Sequence, residues 1–170
     1  MASLRDLRRR IKSTQNMQQI TKAMKAVAAA KMRKAQDAVL MARPYAVRIK
    51  SVLGRVAAAS TDVKNPLLEV REPKKIAYIV MTADRGLCGG FNSNIIRYAV
   101  NEFKNNQDAE LSIVTVGRKG TDYFSRRGYN IVGRYVGLMD HIQYGAVREI
   151  ASKVIEKYAN QEYDAVYLLY

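Results

Sequence analysis

The sequence predicts an α/β protein in which a long N-terminal coiled-coil-type helix precedes a small Rossmann-like βαβ domain with a mostly parallel sheet. Three observations favour this class. Residues 1–57 are rich in strong helix formers and contain a single glycine, Gly54. The later part of the chain alternates short apolar runs with amphipathic segments, as in strands followed by helices. A glycine-rich loop follows the first apolar run, at the point where such a fold turns from strand to helix.

Residues 1–57 are predicted to form one long shaft helix. Their apolar residues recur at steps of three and four, as in the seam of a coiled coil, and the expected seam positions include Leu7, Ile11, Met17, Ile20 and Val27. Pro44 is expected to kink the helix near residues 43–45, because the apolar period resumes after it. A helix of about 50 residues extends on the order of 75 Å, far beyond a compact domain of about 100 residues. The apolar seam therefore requires a partner helix.

The positive charge of the chain lies almost entirely in this helix. The 170 residues have a net charge of +14, and residues 1–57 contribute +12 of it through 14 basic and two acidic side chains. Acidic residues that could pair with these bases along one helix are almost absent. We therefore expect an acidic or otherwise accommodating partner around the helix. No apolar run approaches the roughly 20 residues that cross a bilayer, so no membrane-spanning segment is expected.

A linker is predicted for residues 58–74, which carry two prolines and several other turn-forming residues. The α/β domain is predicted to span residues 75–170, with Asn92 or Ser93 capping its first helix and Gly128 ending its second. Because the chain stops inside the last predicted strand, we expect it to be truncated at its C-terminus. The expected strands are 76–81, 111–116, 129–136 and 165–170, and the expected helices centre on 95–103, 119–127 and 146–158.

The glycine-rich loop is interpreted as structural. It lacks the lysine of the GxxxxGK[ST] phosphate loop, and its glycines do not have the GxGxxG spacing of dinucleotide sites. Glycines at this point permit a tight turn with close backbone contacts, and phosphate binding is the alternative. The residues assigned to this structural loop are Asp84, Arg85, Gly86, Gly89 and Gly90.

No catalytic, cofactor or metal site is predicted. Cys88 and His141 are the only cysteine and histidine, and they lie in different loops, so a cysteine nucleophile with a histidine base is not favoured. We interpret Cys88 as a small packed residue and His141, beside Asp140, as a surface or helix-cap residue. Paired carboxylates and metal-ligand spacings are also missing. The chain is therefore not expected to be an enzyme or to bind a cofactor.

A basic coiled-coil nucleic-acid-binding protein is the alternative function. Phosphate attraction would follow from the charge of the helix. However, the bases extend through the seam region at Lys22, Lys25 and Lys31 instead of forming one arm ahead of a neutral zipper. Tyr45 is the only aromatic residue in residues 1–57, so stacking platforms are lacking. We therefore expect no nucleic-acid partner.

Three segments, in order along the chain, carry a resemblance to a known family. Residues 20–36 read ITKAMKAVAAAKMRKAQ, which resembles the N-terminal helix of the gamma subunit of rotary F-type ATP synthases. Arg43, Pro44 and Tyr45 follow at the position where that family has the same residues. Residues 82–92 read TADRGLCGGFN and are similar to the loop after the first strand of the family's globular domain.

The resemblance implies a non-catalytic central-stalk subunit that couples proton flow to ATP synthesis or hydrolysis by rotation. The implied partners are the alpha and beta subunits of the catalytic ring, the epsilon subunit, the membrane c-ring and a C-terminal helix of the same subunit, which this sequence lacks. Contacts with the ring are expected at Lys22, Met24, Lys25, Arg33 and Lys34. The implied location is peripheral, at the cytoplasmic face of a bacterial plasma membrane, and the start at Met1 favours an unprocessed bacterial product.

Overall fold

The computed structural model describes residues 3–59, 65–138 and 143–170, and the chain divides into two compact units, Met1–Asp62 and Val63–Tyr170. The described residues of the first unit contain one helix, and those of the second contain four strands and three helices. The predicted α/β class, with a long N-terminal helix and a parallel sheet, is confirmed. The elements are α1 (Leu4–Ala59), β1 (Lys75–Met81), α2 (Phe91–Asn105), β2 (Glu110–Val116), α3 (Arg118–Ser125), β3 (Ile131–Tyr135), α4 (Tyr144–Ala159) and β4 (Ala165–Leu169).

Helix α1 is continuous over 56 residues, which corresponds to about 84 Å at 1.5 Å per residue. Its first turn is capped by Asp6, whose Oδ2 accepts a hydrogen bond from the Ser3 backbone N–H at 3.2 Å. It ends at Ala59, two residues beyond the predicted boundary. Pro44 lies inside the helix, where it cannot donate a hydrogen bond to the carbonyl of Leu40. A kink at Pro44 remains a prediction.

None of the residues of α1 is buried. The five predicted seam side chains are each about half exposed, from 49% for Leu7 to 59% for Met17. Exposed apolar side chains in such numbers on one helix are typical of a surface that binds another protein segment. Among the described helices, none combines the length and the apolarity that a bilayer-spanning helix needs.

The sheet of the second unit has the strand order β3-β2-β1-β4, and all neighbouring strands are parallel. Strand β1 is central, with Tyr78 opposite Ile113 of β2 and Tyr167 of β4. Parallel neighbours require crossover connections, which α2, α3 and α4 supply. The strand order reverses at β1, which is the arrangement of a Rossmann-type sheet.

The core lies mainly between the sheet and helices α2 and α3. Its aromatic centre is Phe103, whose ring lies 5.0 Å from that of Tyr78 and 5.7 Å from that of Phe124. Helix α4 contributes no buried residue. The α2–α3 side of the sheet therefore supplies most of the burial that stabilises the unit. The buried core residues are Ile76, Tyr78, Val80, Ile95, Ala99, Phe103, Ile113, Phe124 and Leu169.

Several predicted boundaries are corrected. Neither Asn92 nor Ser93 caps α2, because the helix begins at Phe91 with Gly90 as its N-cap and no side chain bonds to that cap. Helix α3 ends at Ser125, and Gly128 follows in a turn with a φ of +71°. Strand β3 is shorter than predicted because only residues 131–135 pair with β2. The interpretation of Asp140 and His141 falls outside the described residues.

Because the phenol of Tyr78 is buried, the free energy of unfolding should fall when the pH becomes strongly alkaline. Burial, assisted by the charge of Glu102, raises the pKa of Tyr78 above its ordinary value, although Asn106 donates a hydrogen bond to its oxygen at 3.1 Å. A raised pKa means that the folded state holds the phenolic proton more tightly than the unfolded state does. The contribution of the Tyr78 phenol to the free energy of unfolding is therefore complete below a pH of about 10 and is lost as the pH rises further.

We expect Tyr78→Phe to lower the free energy of unfolding by about 1 kcal/mol at pH 8, because the hydrogen bond from Asn106 is lost. The same variant should lose stability less steeply than the wild type above pH 10. Urea unfolding at several pH values measures both effects. Tyr144→Phe, at an exposed position of α4, is the matched control. If the wild type and Tyr78→Phe lost free energy of unfolding equally steeply above pH 10, the buried Tyr78 phenol would not be the source of the pH dependence.

Candidate functional site

The five predicted ring contacts on α1 do not share one face. At about 100° per residue, Lys22 and Arg33 lie within about 20° of each other around the helix, and Lys25 lies about 60° from Lys22. All three side chains are exposed. We call Lys22, Lys25 and Arg33 the basic face.

An apolar stripe lies on the opposite side of α1 from the basic face. Met24 belongs to this stripe, and Lys34 lies about 20° from Val27 at its border. The geometry thus places Met24 and Lys34 beside the later seam residues and separates them from the other three predicted contacts. The stripe, which spans about 80° around the helix, consists of Met17, Ile20, Met24 and Val27.

The predicted seam is not one straight line along α1. Leu7 and Ile11 lie roughly 120–160° around the helix from the centre of the apolar stripe. The step of six residues from Ile11 to Met17 causes this offset. Supercoiling of a regular coiled coil compensates for only about 20° per heptad. A single partner helix on the stripe therefore does not also cover Leu7 and Ile11 unless it wraps around α1.

Acidic side chains are scarce near the basic face, where Asp37, one turn after Arg33, is the acid within reach. Asp6 and Asp37 are the acidic residues of α1, and Asp6 serves as the cap described above. The ion pairs recorded among the described residues lie in the second unit, for example Arg71–Glu69 and Lys153–Glu149. Cationic side chains of α1 therefore remain available to an acidic partner.

Asp84 joins the carboxyl ends of three strands. Its Oδ1 accepts hydrogen bonds from the backbone N–H groups of Arg118 and Gly137, both at 2.9 Å. Asp84 follows β1, Arg118 follows β2 and Gly137 follows β3. A carboxylate with such partners holds together the loops that follow the three strands, and the structural role of this loop stays a prediction.

The glycines of the loop after β1 differ in what the backbone requires of them. Gly89 has a φ of +58°, a conformation that favours glycine, and Gly90 forms the N-cap of α2. A Cβ at Gly86 would meet no heavy atom within 4 Å. Leu87, which is not a glycine, also has a positive φ of 61°.

The tightest backbone approach occurs at Gly117, which the sequence analysis did not single out. A Cβ at this position would lie 1.9 Å from the Thr82 carbonyl oxygen, and the φ of Gly117 is +95°. Gly120 likewise approaches Thr82 and donates its backbone N–H to the Thr82 Oγ1 at 2.8 Å. The available sequence signal was a glycine directly after an apolar strand.

Cys88 is exposed, so its interpretation as a packed residue is wrong. The loop turns its side chain outward, and the Asn92 side chain donates a hydrogen bond to its Sγ at 3.0 Å. The same Asn92 accepts a hydrogen bond from the Ala83 backbone N–H at 2.8 Å and so closes the loop. Across residues 3–59, 65–138 and 143–170, no group of three His, Cys, Asp or Glu side chains is placed to hold a metal ion.

Comparison with known proteins gives matches along the whole chain. A family model described as ATP synthase matches residues 3–170. The ATP synthase gamma chain of Pelotomaculum thermopropionicum is 71% identical over 170 residues, which are all of this chain and 60% of that protein. The gamma chain of Desulforamulus reducens is 58% identical over 170 residues, again all of this chain, and 59% of its length is covered. The chain thus spans about 60% of the length of the curated relatives it matches.

Solved structures give the same result. The central stalk/c-ring structure of the Tetrahymena thermophila mitochondrial ATP synthase matches with a TM-score of 0.69 and 28% identity, over 89% of this chain and 64% of that one. A rotor structure of the Euglena gracilis mitochondrial ATP synthase shares the fold, with a TM-score of 0.58 and 20% identity over 90% of this chain and 52% of that one. Together with the long exposed helix and the parallel sheet, these matches show that the chain belongs to the gamma-chain family of ATP synthases.

Proposed function

We propose that the chain acts as a non-catalytic central-stalk subunit of a proton-translocating F-type ATP synthase. In this role it couples proton flow to ATP synthesis or hydrolysis, which occurs on the beta subunits, by rotating inside the alpha/beta ring. The observation that carries the proposal is α1, a helix of 56 residues with no buried residue. The proposed location is peripheral, at the cytoplasmic face of a bacterial plasma membrane.

The two sides of α1 suit two different partners. The apolar stripe is proposed to bind a C-terminal helix of the same subunit in an antiparallel coiled coil. The basic face is proposed to meet acidic side chains of the alpha and beta subunits. The second unit is proposed to contact the epsilon subunit and the membrane c-ring.

Weak contacts suit a shaft that turns against several equivalent neighbours. An exposed ion pair contributes about 0–1 kcal/mol, so each basic side chain can exchange one carboxylate partner for the next. Side chains that interlocked deeply with the ring would instead hold the shaft at one angle. The exposed lysine and arginine side chains of α1 support such exchangeable contacts.

Reversing charge on the basic face should weaken coupling. We expect Lys25→Glu combined with Arg33→Glu to lower proton-driven ATP synthesis about fivefold to tenfold, because attraction to ring carboxylates becomes repulsion. The measurement uses reconstituted complexes with the full-length subunit. Nucleotide affinity of isolated beta subunits should not change. Lys104→Glu with Arg148→Glu makes the same charge change at exposed positions of the second unit and is the matched control. Normal synthesis by the α1 double variant would contradict the electrostatic role.

A nucleic-acid-binding role is the alternative and rests on the same positive charge. The basic side chains of α1 are exposed, so phosphate attraction at low salt is expected for either function. The position of the stripe opposite the basic face favours a helical partner on one side and a protein ring on the other. We therefore favour the central-stalk role.

A further inference from the structure

The segment of residues 65–74, here called the strap, lies on the covalent path between α1 and β1. It contains no strand of its own, and at its end the Lys74 carbonyl accepts a hydrogen bond from the backbone N–H of Glu110 in β2 at 2.8 Å. The side chains of Leu67 and Leu68 are about half exposed, and that of Val70 is 97% exposed. Apolar burial therefore holds the strap only in part, through the buried halves of the two leucine side chains.

Arg71 is the residue by which the strap is held. Its side chain is 12% exposed, and its Nη1 donates hydrogen bonds to the backbone carbonyls of Tyr158 at 2.9 Å and Tyr163 at 3.2 Å. Its Nε and Nη2 donate to one carboxylate oxygen of Glu69, at 3.1 and 2.8 Å. The planar fork of the guanidinium makes these bonds in different directions at once, which a lysine cannot do.

The acceptors of Arg71 lie where α4 leads into β4. Tyr158 is in the last turn of α4, where a cation is favoured by the helix dipole, and Tyr163 is two residues before β4. The guanidinium carbon also lies 4.7 Å from the centre of the Tyr158 ring. The Tyr158 hydroxyl donates a hydrogen bond back to the Glu69 carbonyl at 2.7 Å. The middle of the strap is thus joined to the α4–β4 connection.

A second attachment holds the end of the strap. The Oδ2 of Asp164 accepts hydrogen bonds from the backbone N–H groups of Lys74 at 3.2 Å and Lys75 at 2.7 Å. Asp164 also donates its own N–H to the Lys75 carbonyl at 2.8 Å. Along the chain from residue 65, the strap is therefore attached first at Arg71 and then at the start of β1.

We propose that Arg71 is the positioning residue through which twisting load carried along α1 enters the second unit. The proposal rests on the proposed rotor function. With Arg71 in place, load that reaches the strap passes first into the α4–β4 connection. Without it, load that reaches the strap enters the second unit at the start of β1, and more of the strap can move freely ahead of that strand.

The test measures how stiffly the second unit follows the shaft. In a complex with the full-length subunit and a surface-fixed ring, a probe is attached to the second unit through Lys104→Cys, with Cys88→Ser to remove the exposed thiol of this part of the subunit. The angular variance of the probe during pauses reports the torsional slack. We expect Arg71→Met to raise this variance about twofold. Arg71→Lys should give an intermediate value because lysine keeps the charge without the fork.

The controls separate a mechanical effect from loss of folding. Arg148→Met, at an exposed position of α4, should leave the variance unchanged. Tyr158→Phe removes only the hydroxyl bond to Glu69 and should give a small increase. If Arg71→Met does not assemble, Arg71→Lys and Tyr158→Phe decide the question, and wild-type variance in both would overturn the proposal. Wild-type variance in an assembled Arg71→Met complex would overturn it directly. A wild-type probe that never turns during ATP hydrolysis would instead contradict the rotor function, whereas the variance at rest still tests Arg71.

Discussion

Replacing Gly117 with alanine is expected to destabilise the second unit by about 4 kcal/mol. The new Cβ would lie 1.9 Å from the Thr82 carbonyl oxygen, and alanine would have to adopt a φ of +95°. Thr82 cannot move aside easily, because it is fully buried and its backbone N–H donates to the Val116 carbonyl at 2.8 Å. Its Oγ1 also accepts the hydrogen bond from Gly120. Urea unfolding followed by tyrosine fluorescence measures the loss.

Gly86→Ala is the matched control for this substitution. A Cβ at Gly86 meets no heavy atom within 4 Å, and no positive φ is recorded there. We expect its free energy of unfolding to change by less than about 0.5 kcal/mol. If Gly117→Ala were as mild as Gly86→Ala, the close approach of β2 to the end of β1 would be wrong.

Placing an acid in the apolar stripe is expected to disrupt its pairing with the C-terminal helix of the full-length subunit, and with it incorporation into the complex, without unfolding α1 itself. Val27 is 57% exposed in this chain, so Val27→Asp should leave the helix content of the isolated chain nearly unchanged. Against an apolar partner helix, the same carboxylate would be buried without a counterion. We expect a loss of about 3 kcal/mol or more, which is at least about a 100-fold reduction in incorporation into the complex.

The comparison residue for Val27→Asp lies on the same helix. Ala30→Asp makes the same charge change about 100° around the helix from the centre of the stripe. Quantitative co-purification with the alpha and beta subunits compares the two variants of the full-length subunit. Equal incorporation of both would contradict the assignment of the stripe as a buried helix contact.

The fold could be predicted because its signals are local. The apolar run that became β1 is continuous and short, and the helix formers of residues 4–59 are nearly uninterrupted. Boundaries were less accurate where a side chain had two possible partners. Asn92 was predicted as a helix cap, but its amide closes the loop between Ala83 and Cys88 instead.

The decisive contacts of the second unit could not be predicted from sequence. The sequence alone does not distinguish Gly86 from Gly117, because the difference lies in the close approach of Thr82 to Gly117 in the folded chain. Arg71 stands in a stretch that reads as an ordinary linker, and its acceptors at Tyr158 and Tyr163 are 87 and 92 residues away. Contacts over such separations depend on the packed arrangement of α4 and β4, which residue spacing does not reveal.

The arrangement of α1 shows a different limit. The helix that the steps of three and four predicted is confirmed, whereas the assignment of its residues to a seam and to ring contacts stays a prediction. The six-residue step from Ile11 to Met17 places Leu7 and Ile11 away from the stripe. The basic face contains three of the five predicted ring contacts, and the other two lie in or beside the stripe. A periodic pattern therefore predicts a helix more safely than it predicts which residues share a partner.

Rotation of α1 inside a fixed ring is tested most directly by following the angle of a probe on the second unit. The complex contains the full-length subunit, with the alpha and beta subunits attached to a surface and ATP supplied. A central-stalk subunit should turn in one direction, in steps, at a rate that follows ATP hydrolysis. A stationary probe on a complex that hydrolyses ATP at its normal rate would contradict the proposed function.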